Sequence, residues 1–247
     1  MQSLQVLTLF LLCNALIGCG GGSSSEPVEP PPYYPPQTVS YTFDEDLQGF
    51  SVFSADHYLD HPDNELIFIE LTIAPEPFEY RSGLKFKWKN YSDDIKGVIF
   101  KEFDGLEANE KYTVTFELDL VTYISYECGG IGGSPSESVN VKAALLNYQP
   151  ERTIVDLYYR ANVRDSQQGN NEGDETVWIG DIGLPTVCVS DPADRIWEQK
   201  TIKNEQEFIF TNDNQGGAWL YISLDSGFEG VTEVYYTDLR VTYQKLN

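Results

Sequence analysis

Histidine is nearly absent from this chain, which carries only His57 and His61 in 247 residues. Their four-residue spacing would aim both rings at one metal only on a helix, and Pro62 and the polar setting put them in a loop. Zinc sites and histidine general bases therefore lose their usual donors. Basic residues are scarce as well, sixteen Lys and Arg against 39 Asp and Glu, giving a formal net charge of −23. Such a chain repels polyanions, which excludes nucleic acid as a partner and disfavours an anionic lipid surface. Long apolar runs are missing too: residues 4–17 form an uncharged apolar run too short to span a bilayer as a helix. Beyond it no stretch sustains a 3.6-residue apolar stripe, so helical folds are excluded.

What the chain does contain is short alternating segments. Tyr112, Val114, Phe116, Leu118 and Leu120 alternate with Thr113, Thr115, Glu117 and Asp119, the period-2 pattern of a half-buried strand. Val139, Val141, Ala143 and Leu145 repeat the pattern further on. Between them runs Cys128-Gly-Gly-Ile-Gly-Gly-Ser-Pro135, a loop whose glycines open backbone angles closed to other residues and whose proline fixes another. Similar strand signals fall at residues 39–43, 66–73, 84–88, 98–103, 154–163, 175–182, 208–211, 218–224 and 231–243, with Gly, Pro, Asn and Asp between them. Roughly ten or more short strands imply an all-β antiparallel jelly roll or β-sandwich, here a single domain over residues 39–247. With 41% hydrophobic and 13% aromatic residues, the chain can bury a substantial core.

The first residues are organised differently. Residues 1–18 end in Leu16-Ile17-Gly18-Cys19, which resembles the lipobox of bacterial lipoproteins, although no Lys or Arg precedes the apolar run. The resemblance implies a signal peptide over residues 1–18 and acylation of Cys19, and Gly20 resembles the pattern for outer-membrane sorting. It implies an outer-membrane lipoprotein, facing the periplasm or the cell surface. Residues 19–38 then read as a Gly/Ser/Pro-rich tether whose prolines favour an extended conformation of about 3 Å per residue. If Cys13 leaves with the signal and Cys19 carries lipid, Cys128 and Cys188 remain to form one disulfide.

Two further resemblances concern the folded part. Phe43-Asp44-Glu45-Asp46-Leu47-Gln48-Gly49-Phe50 and Tyr236-Thr237-Asp238-Leu239-Arg240-Val241 look like the first and last strands of carbohydrate-binding-module sandwiches. In such modules an early carboxylate and the last-strand Asp share a structural calcium, which implies Asp44, Asp238 and Asp46 as ligands. Surface turn carboxylates are the alternative. Separately, Asn90–Asp94, the segment from Gly129 to Ala143, Gly180-Asp181-Ile182 and Trp219…Tyr236 resemble a family of uncharacterised bacterial secreted proteins and lipoproteins. That family carries a GIGGSPGESV segment, in which Ser136 here replaces the last glycine, and the resemblance implies no activity.

Candidate chemistry is sparse. Gly132-Gly133-Ser134-Pro135-Ser136 approaches a nucleophile elbow, but Pro135 lacks the N–H that the oxyanion hole requires. Carboxylates are too numerous to choose a glycosidase pair, which is defined by separation in space. Lys85, Lys87 and Lys89 alternate with Leu84, Phe86 and Trp88, either as a reader of anionic ligands or as a solvent face. Leu220, Ile222 and Leu224 alternate with Trp219, Tyr221 and Ser223, so Trp219 and Tyr221 either face outward, where flat rings stack on sugars, or lie under a covering loop. With Lys142 they are the candidate ligand contacts. The expected function is non-catalytic binding of glycan or another extracytoplasmic ligand. The alternatives are a jelly-roll glycan hydrolase or lyase, and a structural or assembly lipoprotein that binds protein.

Overall fold

The computed structural model describes residues 32–60, 67–91, 94–165, 175–213 and 217–247. Cys19, the signal segment 1–18 and tether residues 19–31 lie outside them. The chain from Tyr33 to Asn247 is one compact unit. In chain order its strands are β1 (Gln37–Thr42), β2 (Ser51–Ala55), β3 (His57–Tyr58), β4 (Phe68–Ile73), β5 (Ser82–Lys89), β6 (Ile95–Phe103), β7 (Lys111–Thr122) and β8 (Val139–Leu146). There follow β9 (Arg152–Val155), β10 (Tyr158–Ala161), β11 (Val177–Asp181), β12 (Glu198–Lys203), β13 (Phe208–Thr211), β14 (Ala218–Ser226) and β15 (Val231–Lys245). No α-helix occurs among the described residues, where the helical content is one 3-10 turn at Pro192–Asp194.

The strands build two large antiparallel sheets and one small one. A seven-stranded sheet runs β12-β7-β15-β5-β4, with β13 extending the β12 side of β7 and β1 extending the β5 side of β15. The facing five-stranded sheet runs β11-β8-β14-β6-β2. Alternation decides what lies between them. Leu84, Phe86 and Trp88 of β5, Val114 to Leu120 of β7 and Val234, Tyr236, Leu239 and Val241 of β15 meet Val139, Val141 and Ala143 of β8 and Leu220, Ile222 and Leu224 of β14. Each large apolar side chain so enclosed contributes about 1.5–3 kcal/mol relative to exposure. Gly97 of β6 makes room for this contact, since a Cβ there would lie 2.6 Å from the Phe86 ring and 2.9 Å from that of Trp88.

The lysines between the β5 core residues point the other way and meet acids: Lys85 pairs with Glu70 at 2.5 Å and Lys87 with Glu233 at 2.9 Å. The glycine-rich loop between β7 and β8 is pinned by a disulfide from Cys128 to Cys188, 60 residues apart, with Cα atoms 5.0 Å apart. Ser134 Oγ donates to the Cys128 carbonyl at 3.1 Å, and Gly133 adopts φ +125°, where a Cβ would collide with Ser138. Two details differ from the alternation pattern. Residues 154–163 are not one strand but the β9–β10 hairpin, turned at Asp156 and Leu157, both with positive φ. His57 is not in a loop but in β3, which pairs with β10 to complete the small sheet β3-β10-β9.

Candidate functional site

The outer face of the five-stranded sheet carries every side chain that the alternation turns away from the core. Register sets Trp178, Lys142, Ser223 and Val98 in one row, Asn140, Asp225 and Lys96 in a second, Ala144, Tyr221 and Phe100 in a third, and Leu146, Trp219 and Glu102 in a fourth. Trp219, Tyr221 and Lys142 therefore share one face. They do not share one environment. Lys142 and Tyr221 are fully buried, whereas Trp219 is half-buried, its ring 6.1 Å from that of Phe100.

At one end of this face lies an enclosed set of charges that no run of the sequence announces. Lys142 Nζ lies 2.7 Å from Asp165 Oδ1 and 3.4 Å from Asp225 Oδ2. Lys96 Nζ reaches Asp56 at 3.0 Å, Asp165 at 3.4 Å and Asp225 at 3.7 Å. Arg160 bridges Asp56 at 2.8 Å and Asp94 at 3.1 Å. Asp165 lies four residues past the end of β10, and its side chain, like that of Lys142, has no solvent exposure. Four carboxylates thus face three cations. Burial, and then the charge of Asp56, raises the Asp94 carboxyl from 3.8 to about 6, against the opposing pull of Arg160. Burial also raises Asp225, with Lys96 and Lys142 opposing, and Lys96 is held well above its ordinary value by the carboxylates around it despite its burial.

At the other end of the face the described strands leave a groove. β11 pairs with Asn140 to Ala143 of β8 only, so the next turn of β8 has β14 on one side and no strand on the other among the described residues. There a groove of about 300 Å³ runs between β8 and β13, lined by Leu146, Asn147, Tyr148, Glu175, Phe208 and Thr211. Tyr148, Phe208 and Trp219 pack on the same apolar cluster as Leu146, which sits opposite Trp219 in the register. Glu175 is the one acid among the described residues of the groove lining; its carboxylate accepts the Tyr148 hydroxyl and the Arg164 N–H, both at 2.7 Å.

The residues expected to hold calcium are arranged around a different cation. Arg81 Nε donates to Asp44 Oδ1 at 2.9 Å, and another nitrogen of the same guanidinium lies 2.8 Å from Asp238 Oδ2. Asp46 Oδ1 accepts the N–H of Gln48 at 2.6 Å, closing a turn. The guanidinium supplies one positive charge between the two carboxylates and also donates to Thr42 Oγ1 at 3.4 Å and to the Thr237 carbonyl at 3.3 Å. Among the described residues no group of three or more His, Cys, Asp and Glu side chains is placed to hold a metal ion.

Trp178 donates from its indole nitrogen to Asn140 Oδ1 at 2.9 Å, and Trp197 packs edge-on against Tyr123 and Tyr235. Both are packing residues. A second groove of about 320 Å³, lined by Tyr123, Val187, Val189 and Ile196 among others, flanks Cys188 on the seven-stranded side.

No protein-family model matches the chain, and no curated protein matches it. Solved structures do. The xylan-binding domain of a Paenibacillus barcinonensis protein is similar at 11% identity and TM-score 0.36, over 85% of this chain and 95% of that one. A carbohydrate-binding module specific for non-crystalline cellulose is similar at 12% identity and TM-score 0.33, over 79% and 89%. The winged bean acidic lectin, complexed with methyl-α-D-galactose, is similar at 7% identity and TM-score 0.36, over 86% and 100%. Likeness at this level transfers no ligand.

Proposed function

We propose that this chain is a non-catalytic β-sandwich that binds glycan in the groove beside Trp219, held at a bacterial outer membrane by lipid on Cys19. The observation that carries the reading is a half-buried Trp219 whose cross-strand neighbour Leu146 lines a groove of about 300 Å³ in which aromatic rings mix with amide, phenol and carboxylate groups. A flat indole offers its face to the apolar C–H surface of a sugar, while polar groups at the rim accept and donate hydrogen bonds. The hydrolase alternative finds less support, because a glycosidase needs two carboxylates flanking one bond and, among the described residues, the groove lining contains one. The remaining buried acids of this face are enclosed against Lys and Arg.

A glycan array tests the reading. The full chain is retained on one class of glycan, and Trp219→Ala lowers that affinity roughly tenfold or more while the disulfide and far-UV spectrum stay unchanged. Equal retention by the variant, or no retention of the parent on any glycan, overturns it.

A further inference from the structure

The enclosed charges at the other end of the sheet hold more than an ion-pair network needs. We propose that Lys142 and Asp165 are joined by an intramolecular isopeptide bond that the folded protein forms in itself. The amine and the carboxyl are already in contact, Nζ to Oδ1 at 2.7 Å, and neither side chain has any solvent exposure. Asp225 is 1% exposed; its Oδ2 lies 3.4 Å from the same nitrogen, and its Oδ1 is buried with no hydrogen-bond partner among the described residues. Asp165 Oδ2 accepts a hydrogen bond from Ser223 Oγ at 3.3 Å and lies 3.4 Å from Lys96 Nζ. One nucleophile, one carboxyl, a proton carrier and two positive or donor groups on the carboxyl oxygen thus converge where water is excluded.

The step balances without any added reagent. Lys142 passes a proton to the Asp165 carboxylate, leaving a neutral amine and a carboxylic acid. The nitrogen lone pair attacks Cγ of Asp165, and Ser223 and Lys96 stabilise the negative oxygen of the tetrahedral intermediate. Asp225, whose burial favours its protonated form, takes a proton from the nitrogen and gives one to the departing hydroxyl. One C–N bond forms, one C–O bond breaks, and one water leaves. Burying a Lys–Asp pair carries a desolvation cost that its mutual attraction offsets only in part, and condensation removes both charges. Contact within the fold replaces the encounter that makes amide formation slow in water. Neighbouring pairs differ in distance or exposure: Lys96 Nζ is no nearer than 3.4 Å to Asp165 and 3.7 Å to Asp225, and Lys200 and Asp181 touch at 2.8 Å with side chains 19% and 15% exposed. The bond would tie the chain just past β10 to β8.

Peptide mapping of the full chain by mass spectrometry, after unfolding and reduction, reads the bond directly. The expected product is a branched peptide containing both residue 142 and residue 165, lighter than the sum of its two parts by one water. Recovery of the two peptides separately at their sequence masses overturns the proposal. In Lys142→Arg, whose guanidinium is a poor nucleophile, the water loss disappears; a loss that persists belongs to another dehydration, such as a succinimide, and also overturns it. Asp225→Asn keeps both partners and the shape of the site, and it should leave them unlinked; a complete bond in that variant overturns the relay.

Discussion

Single side chains in this protein are governed by what encloses them. Asp94 shows the consequence for pH. Its carboxyl rises from 3.8 to about 6 in the folded chain because burial and the neighbouring Asp56 outweigh Arg160. The folded state therefore binds that proton more tightly than the unfolded chain does. Its contribution to stability is complete below 3.8 and is lost as the pH rises through about 6. Asp94→Asn cannot lose the proton, so its melting temperature should gain on that of the parent across the same interval. A difference between the two that stays constant with pH would contradict the assignment. Lys142 teaches the same lesson from the other direction. In sequence it is the one cation in an alternating strand, and nothing within ten residues of it shows that Asp165 and Asp225 will close around it.

At the level of strands, the alternation predicted both the existence and the facing of the long ones. β7, β8, β14 and β15 bury the side chains that their period-2 pattern nominates, and β13 falls at residues 208–211 as read. Short or edge strands escaped. β12 reads Glu-Gln-Lys-Thr-Ile-Lys and buries only Ile202, because an edge strand with one covered position has no pattern to show. β2 and the two-residue β3 were hidden for similar reasons, and the β9–β10 turn uses Asp156 and Leu157 rather than glycine. Pairing also set what became of Asp44 and Asp238. β1 and β5 both lie against β15, and this brings Arg81, just before β5, between the two carboxylates. Arg81→Gln should lower stability by about 1–2 kcal/mol, since partly exposed charged hydrogen bonds are worth less than buried ones. Chelation should leave the melting temperature of the parent unchanged. A fall on chelation, with calcium found by elemental analysis, would restore a metal to that site. The Cys128–Cys188 bond acts between elements too: closing a loop of 60 residues constrains the unfolded chain by about 4 kcal/mol in the chain-entropy account.

For the whole molecule, the chain's net charge of −23 repels polyanions and is compatible with a neutral ligand. Anchoring belongs to this scale as well. The run ending in Leu16-Ile17-Gly18-Cys19 supports lipid at Cys19, with the Gly/Ser/Pro stretch as spacer. Cys19→Ser should move the chain from the membrane fraction to the soluble fraction after cell breakage, and retention in the membrane fraction would remove the anchor. Sequence alone determined the all-strand class and the sandwich of antiparallel sheets. These follow from local alternation, which needs no knowledge of distant neighbours, whereas the pairing of Cys128 with Cys188 was implied by the lipobox resemblance and is present in the structure. Only the tertiary structure decided that Trp219 is half-buried while Tyr221 and Lys142 on the same face are sealed, and that Asp44 and Asp238 clasp an arginine. Exposure and charge pairing depend on which segment covers a face and which side chain arrives from more than a hundred residues away, and period-2 alternation carries no term for either.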